Sequence, residues 1–260
     1  MPAEFLHTYT ALRISKALDI FKRKYFPLII LGSQGPDPFL YIPFDSEIHS
    51  WGEKLHKEKW QTPFLTNLGE ALRQNYPHFA IAFMSHYVLD SMVHPYIIAR
   101  AGHGIRHGQL ERAIDRSFME FLGISPDSFK ISKLLPEHIP YNLDIAFKNA
   151  IKKTNPEEQF LAGYFTAAVR YMKIYHSIYD TLPIAMESTS YLLAKVKVNY
   201  LLQGLRRVPF KDPLNIERHP WRYDEEIHYE DVISLVKMAI EKSIEIGRAY
   251  LEGSPLAIKD

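Results

Sequence analysis

Two short stretches carry chemistry-bearing residues at a regular interval. HYVLDSMVHP sets His86, Asp90 and His94 four residues apart, and HGIRHGQLE does the same for His103, His107 and Glu111. A step of four on an α-helix turns a side chain through about 400°, so each trio lines one slowly drifting stripe. Imidazole nitrogens and carboxylate oxygens, with no thiol among them, are the donor set that a cluster of divalent metal ions takes. The first trio is flanked by FAIAFM, YVL, MV and YII. Its helix is therefore expected to be buried nearly all round, with the polar stripe inside. A buried carboxylate needs a cation or several donors. A metal ion would meet that need at Asp90, and so would an internal ion pair with His86 or His94.

In the second stretch His107 and Glu111 present two donors to one ion from a single helix face. Asp115 continues the stripe four residues on. It reads instead as part of a solvated face paired with Arg112 and Arg116, an arrangement that contributes little. His103 could be a further ligand or a loop histidine, and the loop reading is preferred. Arg100 and Arg106 flank the glycine loop between the two stretches, where they could meet a phosphate or simply stand solvated.

The elements that must hold these residues follow from periodicity and punctuation. Over 8–24, Leu12, Ile14, Leu18, Ile20 and Phe21 recur near a helical period. Residues 33–66, rich in Pro, Gly and aromatics, read as a long irregular connection. Pro38 removes an N–H there and pushes Asp37 toward extended geometry. Phe39, Tyr41, Phe44, Trp51 and Trp60 argue against disorder in this stretch, and loops so long are usually functional. A helix is expected from near Pro77 to about Ala101. Gly102, Gly104 and Gly108 punctuate a loop, and the next helix runs from about Gly108 to Leu122, stopped by Gly123. Further helices are expected over 142–153, 156–180, 184–204 and 229–252, with 207–227 a second long loop holding three prolines. No alternating run argues for strands. The expected fold is all-α, a single-domain multi-helix bundle over 1–260, with the last helix packed back after the 207–227 crossover.

Bulk composition narrows the function classes. A chain of 260 residues buries enough surface to fold without staples. The formal net charge of +1 argues against a strongly basic nucleic-acid clamp, so no stable nucleic-acid complex is expected. Cysteine is absent, which excludes disulfides, a thiolate zinc site and a cysteine nucleophile, and fits a reducing compartment. The opening MPAEFLHTYT has no basic stretch followed by an apolar core. The longest apolar run, Tyr25 to Leu31, is interrupted by Pro27 and too short to span a bilayer. A cytoplasmic location is the expectation.

Six pieces occur in order: an early histidine at His7, GPDPF (Gly35 to Phe39), GEKLHKEK (Gly52 to Lys59), HYVLDSMVHPYI, HGQLERAID and LNIERHPW (Leu214 to Trp221). Together they resemble the zinc-dependent phospholipase C family, relatives of the secreted bacterial phosphatidylcholine-hydrolysing enzymes. The wider superfamily includes fungal single-strand-specific nucleases of all-α fold with a trinuclear zinc site. The resemblance covers most of the chain. It implies a zinc-dependent phosphoric ester hydrolase acting on a phosphodiester, phospholipid being one such substrate. One zinc would take Asp37, His56, His86 and Asp90. A second would take His94, His107 and Glu111, and a third would share Asp90 and take His7. His49 competes with His56, which is preferred because LHKEK matches the family better. Two departures stand out: no N-terminal tryptophan is evident ahead of His7, and the gap between Asp90 and His94 is shorter than in the secreted enzymes. The implied reaction is in-line attack by metal-activated water without a covalent enzyme intermediate. Asp90 would bridge ions, and Asp37 would ligate and orient the water.

Other classes make different demands. A phosphohydrolase built on an adjacent His-Asp pair needs a dipeptide that does not occur here. A di-iron carboxylate bundle needs two Glu-x-x-His motifs, and Glu53/His56 and Glu225/His228 have that spacing. A non-enzymatic helical module with buried histidines needs no metal.

Overall fold

The computed structural model describes residues 4–42, 46–181 and 210–258. It is all-α but for one short hairpin, as expected. Helix α1 spans Glu4–Ala17, α2 Phe26–Ser33, α3 Glu47–His56, α4 Glu58–Leu72, α5 Pro77–Ala101, α6 Ile105–Phe121, α7 Ile131–Leu134, α8 Tyr141–Thr154, α9 Tyr164–Thr181 and α10 Val232–Leu251. A 3₁₀ turn covers Asp37–Tyr41.

Helix α5 is the axis on which the others lean. Its residues 78–89 are buried without a break, while Ser91 and Ala99 reach solvent, so burial all round holds for its first half only. Helices α1, α2, α4 and α10 pack on that apolar half. Pro77 stands in its first turn, where a missing N–H costs nothing. Gly102, at φ +65°, ends it. Aromatic rings fill the space between α4, α5, α8 and α9, with Phe147 and Phe165 stacked at 4.1 Å. No described helix is long and apolar enough to cross a membrane.

Several elements depart from the expectation. The stretch 33–66 is a 3₁₀ turn, then α3, then the first part of α4, and not an irregular connection. Trp60, Phe64, Leu65, Leu68 and Leu72 recur at helical spacing and bury one face of α4. Pro63 lies on its exposed face, so the ring points away from the core. Ser46 caps α3 by accepting hydrogen bonds from the Ile48 and His49 N–H groups. The first helix begins at Glu4, ahead of residue 8, and stops at Ala17. Helix α6 starts at Ile105, three residues ahead of the expected start near Gly108. Helix α9 starts only at Tyr164, where Asp144 accepts a hydrogen bond from the Thr166 N–H. The helix expected over 184–204 lies outside the described residues.

The 210–228 stretch also holds more order than a loop. β1 (Trp221–Tyr223) pairs antiparallel with β2 (Glu226–His228). Asp224 and Glu225 at its tip take φ +46° and +67°, the left-handed pair that a two-residue hairpin turn requires. No glycine marks that turn and each strand is three residues long, so alternation could not reveal it.

Candidate metal centre

The expected ligands come from five elements: α1 (His7), the 3₁₀ turn (Asp37), α3 (His56), α5 (His86, Asp90, His94) and α6 (His107, Glu111). The fold brings all eight together. Three adjoining groups form: His7, His86 and Asp90; Asp37, His56 and His86; His94, His107 and Glu111. Asp90 sits at the junction. Its Oδ2 is 3.1 Å from His86 Nε2. Its Oδ1 is 3.3 Å from His7 Nε2 and 3.6 Å from His94 Nε2. Asp37 Oδ1 lies 3.0 Å from His56 Nε2 and 3.8 Å from His86 Nε2. Glu111 Oε1 lies 3.2 Å from His94 Nε2 and 3.1 Å from His107 Nε2.

Backbone carbonyls fix the imidazole orientations. Nδ1–H of His86 donates to Ser33 O at 3.2 Å, that of His56 to Gly52 O at 2.6 Å, and that of His107 to Gly102 O at 3.0 Å. A neutral ring that donates through Nδ1 keeps a lone pair at Nε2. In all three rings that lone pair faces a carboxylate oxygen, so a cation must come between them. Nε2 of His86 is buried and finds no hydrogen-bond partner among the described residues. Zinc takes imidazole nitrogens and carboxylate oxygens at about 2.0–2.2 Å, which places neighbouring donors of a tetrahedral site about 3.3 Å apart. The observed separations straddle that value. The residues therefore fit zinc.

Without a metal, charge inside the group settles on protons. Burial disfavours the His86 imidazolium, but Asp90 and Asp37 outweigh burial and raise its pKa. The same balance of burial against Asp90 and Glu111 lifts His94 to about 9. His7 moves down, through burial and the neighbouring His86 charge. Burial would raise Asp90 and Asp37, yet the histidines around them hold Asp37 below its usual range and Asp90 well below it.

Burial grades across the cluster. The side chains of His86, Glu111, His7 and Asp37 are 1%, 4%, 5% and 8% exposed, whereas His94 and His56 reach 35% and 26%. Access is thus from the side of His94 and His56. Gly35 stands against the His86 ring. At φ +53° it lies so close that a Cβ would come within 2.4 Å of the His86 ring. This gives the glycine of GPDPF a physical reason.

Other sequence candidates fall elsewhere. His49 donates through Nδ1 to Ile42 O at 2.8 Å and has Glu53 at 3.9 Å, outside the three groups. His103 is exposed in the loop before α6. Arg100 donates to Lys211 O and to the Tyr96 hydroxyl, both at 2.9 Å, which ties α5 to the 210–228 stretch. Arg106 is exposed over the Phe210 ring. Neither Glu-x-x-His pair brings its glutamate into the cluster: Glu53 faces outward, and Glu225 sits in the hairpin turn.

Asp115 requires a correction. It is buried and not part of a solvated face. Its two oxygens accept the Phe5 and Leu6 backbone N–H groups at 2.8 and 2.9 Å. Burial and the nearby Glu4 charge push its carboxyl well above the usual range. A second buried network was not read from the sequence. The Tyr41 hydroxyl donates to Glu4 Oε1 at 3.0 Å, and His176 Nε2 lies 2.8 Å from that hydroxyl and 3.2 Å from Glu4. Glu4 stands three residues before His7 and Tyr41 four after Asp37, which is the one signal the sequence offered for them.

A model of the family described as zinc dependent phospholipase C matches residues 5–178, a span that contains all eight residues of the three groups. No curated protein and no solved structure matches the chain. A match over well more than half the sequence, with its metal-binding residue types gathered at one place in an all-α fold, makes this chain a member of the zinc-dependent phospholipase C family.

Proposed function

We propose that the chain is a zinc phosphoesterase that hydrolyses a phosphodiester, phospholipid among the candidates, at a site for two or three ions, and that its 260 residues work as one domain. The observation that carries this reading is the division of Asp90 between neighbours, Oδ2 toward His86 and Oδ1 toward His7 and His94. A carboxylate with two oxygens can bridge ions. An imidazole whose Nδ1 is held by a carbonyl has one lone pair and can serve only one ion. His86 therefore belongs with Asp37, His56 and one oxygen of Asp90. His94, His107 and Glu111 would hold a second ion, and His7 with the other oxygen of Asp90 would hold a third.

Zinc held there supplies Lewis acidity toward phosphoryl oxygens and lowers the pKa of water toward neutrality. The chain's own residues do the rest. Asp37 reaches His56 and His86 through one oxygen, which leaves the other to accept a hydrogen bond from the attacking water. Its depressed pKa suits orienting that water over storing its proton. Ser33, Gly52 and Gly102 carbonyls hold the imidazoles in one tautomer. The partly exposed His94 and His56 mark the side from which a substrate would reach the cluster.

The test is elemental analysis of protein purified without chelator, followed by a panel of phospholipid, dinucleotide and small synthetic diester with and without added Zn²⁺. Two or three zinc ions per chain and zinc-dependent turnover of at least one diester are expected. Iron, or no metal and no turnover, overturns the reading.

A further inference from the structure

The first described turn of α1 is held from outside the helix. The first N–H groups of a helix find no acceptor within it and need one. Asp115 supplies it from another helix. Both of its oxygens are engaged, one by Phe5 N–H at 2.8 Å and one by Leu6 N–H at 2.9 Å. The carboxylate comes from the stripe on α6 that carries His107 and Glu111, one turn further on. The same face of α6 that presents two donors to His94 thus grips the backbone of α1 through its next residue.

The gripped N–H groups are those of the two residues just before His7. Two hydrogen bonds to adjacent amides, one from each oxygen, set both the depth and the rotation of that turn. His7 then has little latitude. It stacks on His86 at 4.1 Å, with the planes 20° apart, and brings Nε2 to 3.3 Å from Asp90 Oδ1. Its Nδ1 finds no partner among the described residues, so no carbonyl orients this ring as carbonyls orient His56, His86 and His107. Its placement falls to the helix that carries it.

We infer that Asp115 is a positioning residue for the metal centre, acting through the α1 backbone to set His7 against Asp90 and so to govern the affinity of the ion those two residues hold. This rests on the reading of His7 as a ligand given above. Asp115 touches neither metal nor substrate in this role. Its effect is confined to one of the three groups, since His94, His107 and Glu111 are placed by α5 and α6 without α1.

The experiment is chelator-competed zinc titration of the full chain, resolved into successive equivalents, for wild type, Asp115→Ala, His7→Ala and the double variant. The expected result is that Asp115→Ala weakens the equivalent lost in His7→Ala by about 10- to 100-fold, as removal of an outer partner of a metal ligand does. The remaining equivalents should keep wild-type affinity, and Asp115→Ala should add nothing to His7→Ala. A merely structural role would weaken every equivalent together or lower thermal stability alone, and either outcome overturns the inference. Wild-type titration of Asp115→Ala overturns it while leaving the metal reading intact. A wild type that binds no zinc, or a His7→Ala variant that loses none, overturns the inference along with His7 as a ligand. Should Asp115→Ala fail to fold, Asp115→Asn keeps one acceptor and carries the same test, with a smaller loss at the same equivalent expected.

Discussion

His78 and His86 lie about two turns apart on α5, on one i, i+4 series with Ala82 between them, and both are buried, at 2% and 1% exposure. Their surroundings send them in opposite directions. His78 stacks flat on Tyr25 at 4.0 Å, with Lys24 near, and burial first and that lysine second press its pKa down to about 4. Its Nε2 has no hydrogen-bond partner among the described residues. His86 faces Asp90 and Asp37, and its pKa rises. On the proposed reading, burial of an imidazole is thus not what would make a ligand. The neighbouring carboxylates would, because they turn a lone pair that the core merely tolerates into one that calls for a cation. The 40° drift of each four-residue step carries the stripe from the Tyr25 stack at His78 to the carboxylate-lined corner at His86.

The largest break in this contrast is Asp90→Asn. An amide carries no charge and offers only one acceptor oxygen, so His7, His86 and His94 lose the anion they share. Loss of several kcal/mol of electrostatic stabilisation corresponds to a fall in turnover of about three orders of magnitude, with zinc content falling alongside. Retained zinc stoichiometry and turnover would refute the bridging role.

Two glycines of the α2 region sharpen the comparison. A Cβ on Gly32 would meet the Phe79 carbonyl oxygen at 2.7 Å and Ala82 Cβ at 2.9 Å, between the two histidines. A Cβ on Gly35 would strike the His86 ring itself, at a backbone φ of +53°. Both alanine variants should lose stability, by about 1–3 kcal/mol from overpacking, with left-handed strain adding about 1–3 kcal/mol at Gly35. Only Gly35→Ala should also lose zinc. Denaturant melts with parallel metal analysis check this, and equal zinc loss in the two would erase the distinction.

A pH scan separates the two histidines by sign. The unfolded chain protonates His78 near 6.5, the folded chain not until about 4. The unfolded state binds more protons between those values, so the contribution of His78 to stability is complete above pH 6.5 and shrinks as pH falls toward 4. A shift of this size corresponds to about 3 kcal/mol. His78→Phe keeps the stack on Tyr25 and removes the titration. Its stability should fall less steeply than wild type over that window, with zinc content at neutral pH unchanged. Parallel curves would show that His78 does not titrate as its burial implies.

The sequence yielded these two histidines unevenly, and for physical reasons. The stripe His86–Asp90–His94 and the pair His107–Glu111 were legible because i, i+4 spacing is a local property of one helix. Helix α5 was legible because its apolar run is long and Pro77 and Gly102 bound it. The α3–α4 region was not, because prolines and glycines masked a stripe of Trp60, Phe64, Leu68 and Leu72 whose partners lie on α8. Asp115 was misread since its neighbours Arg112 and Arg116 supply a sufficient local explanation, while its true partners are amides 109 and 110 residues away. His78 drew no attention, for the same i, i+4 rule that found His86 says nothing about where the carboxylates of other elements arrive.

The smallest expected effect concerns the same ambiguity on α3, where His49 and His56 differ in sequence context but not in kind. Both donate through Nδ1 to a backbone carbonyl, Ile42 O at 2.8 Å for His49 and Gly52 O at 2.6 Å for His56. Nε2 of His56 then meets the buried Asp37 at 3.0 Å, whereas Nε2 of His49 has Glu53 at 3.9 Å, a carboxylate 64% exposed. A solvated carboxylate is well served by water and exerts little demand for a cation. His49→Gln keeps a donor for the Ile42 carbonyl and should cost no more than about 1 kcal/mol, with zinc content and turnover at wild-type level. His56→Gln, the same chemical change seven residues on, should weaken one zinc equivalent because Asp37 loses its partner. If His49→Gln instead depletes zinc while His56→Gln does not, the opening of the site lies on the other end of α3, and the demand that buried carboxylates place on their neighbours is not what selects the ligands.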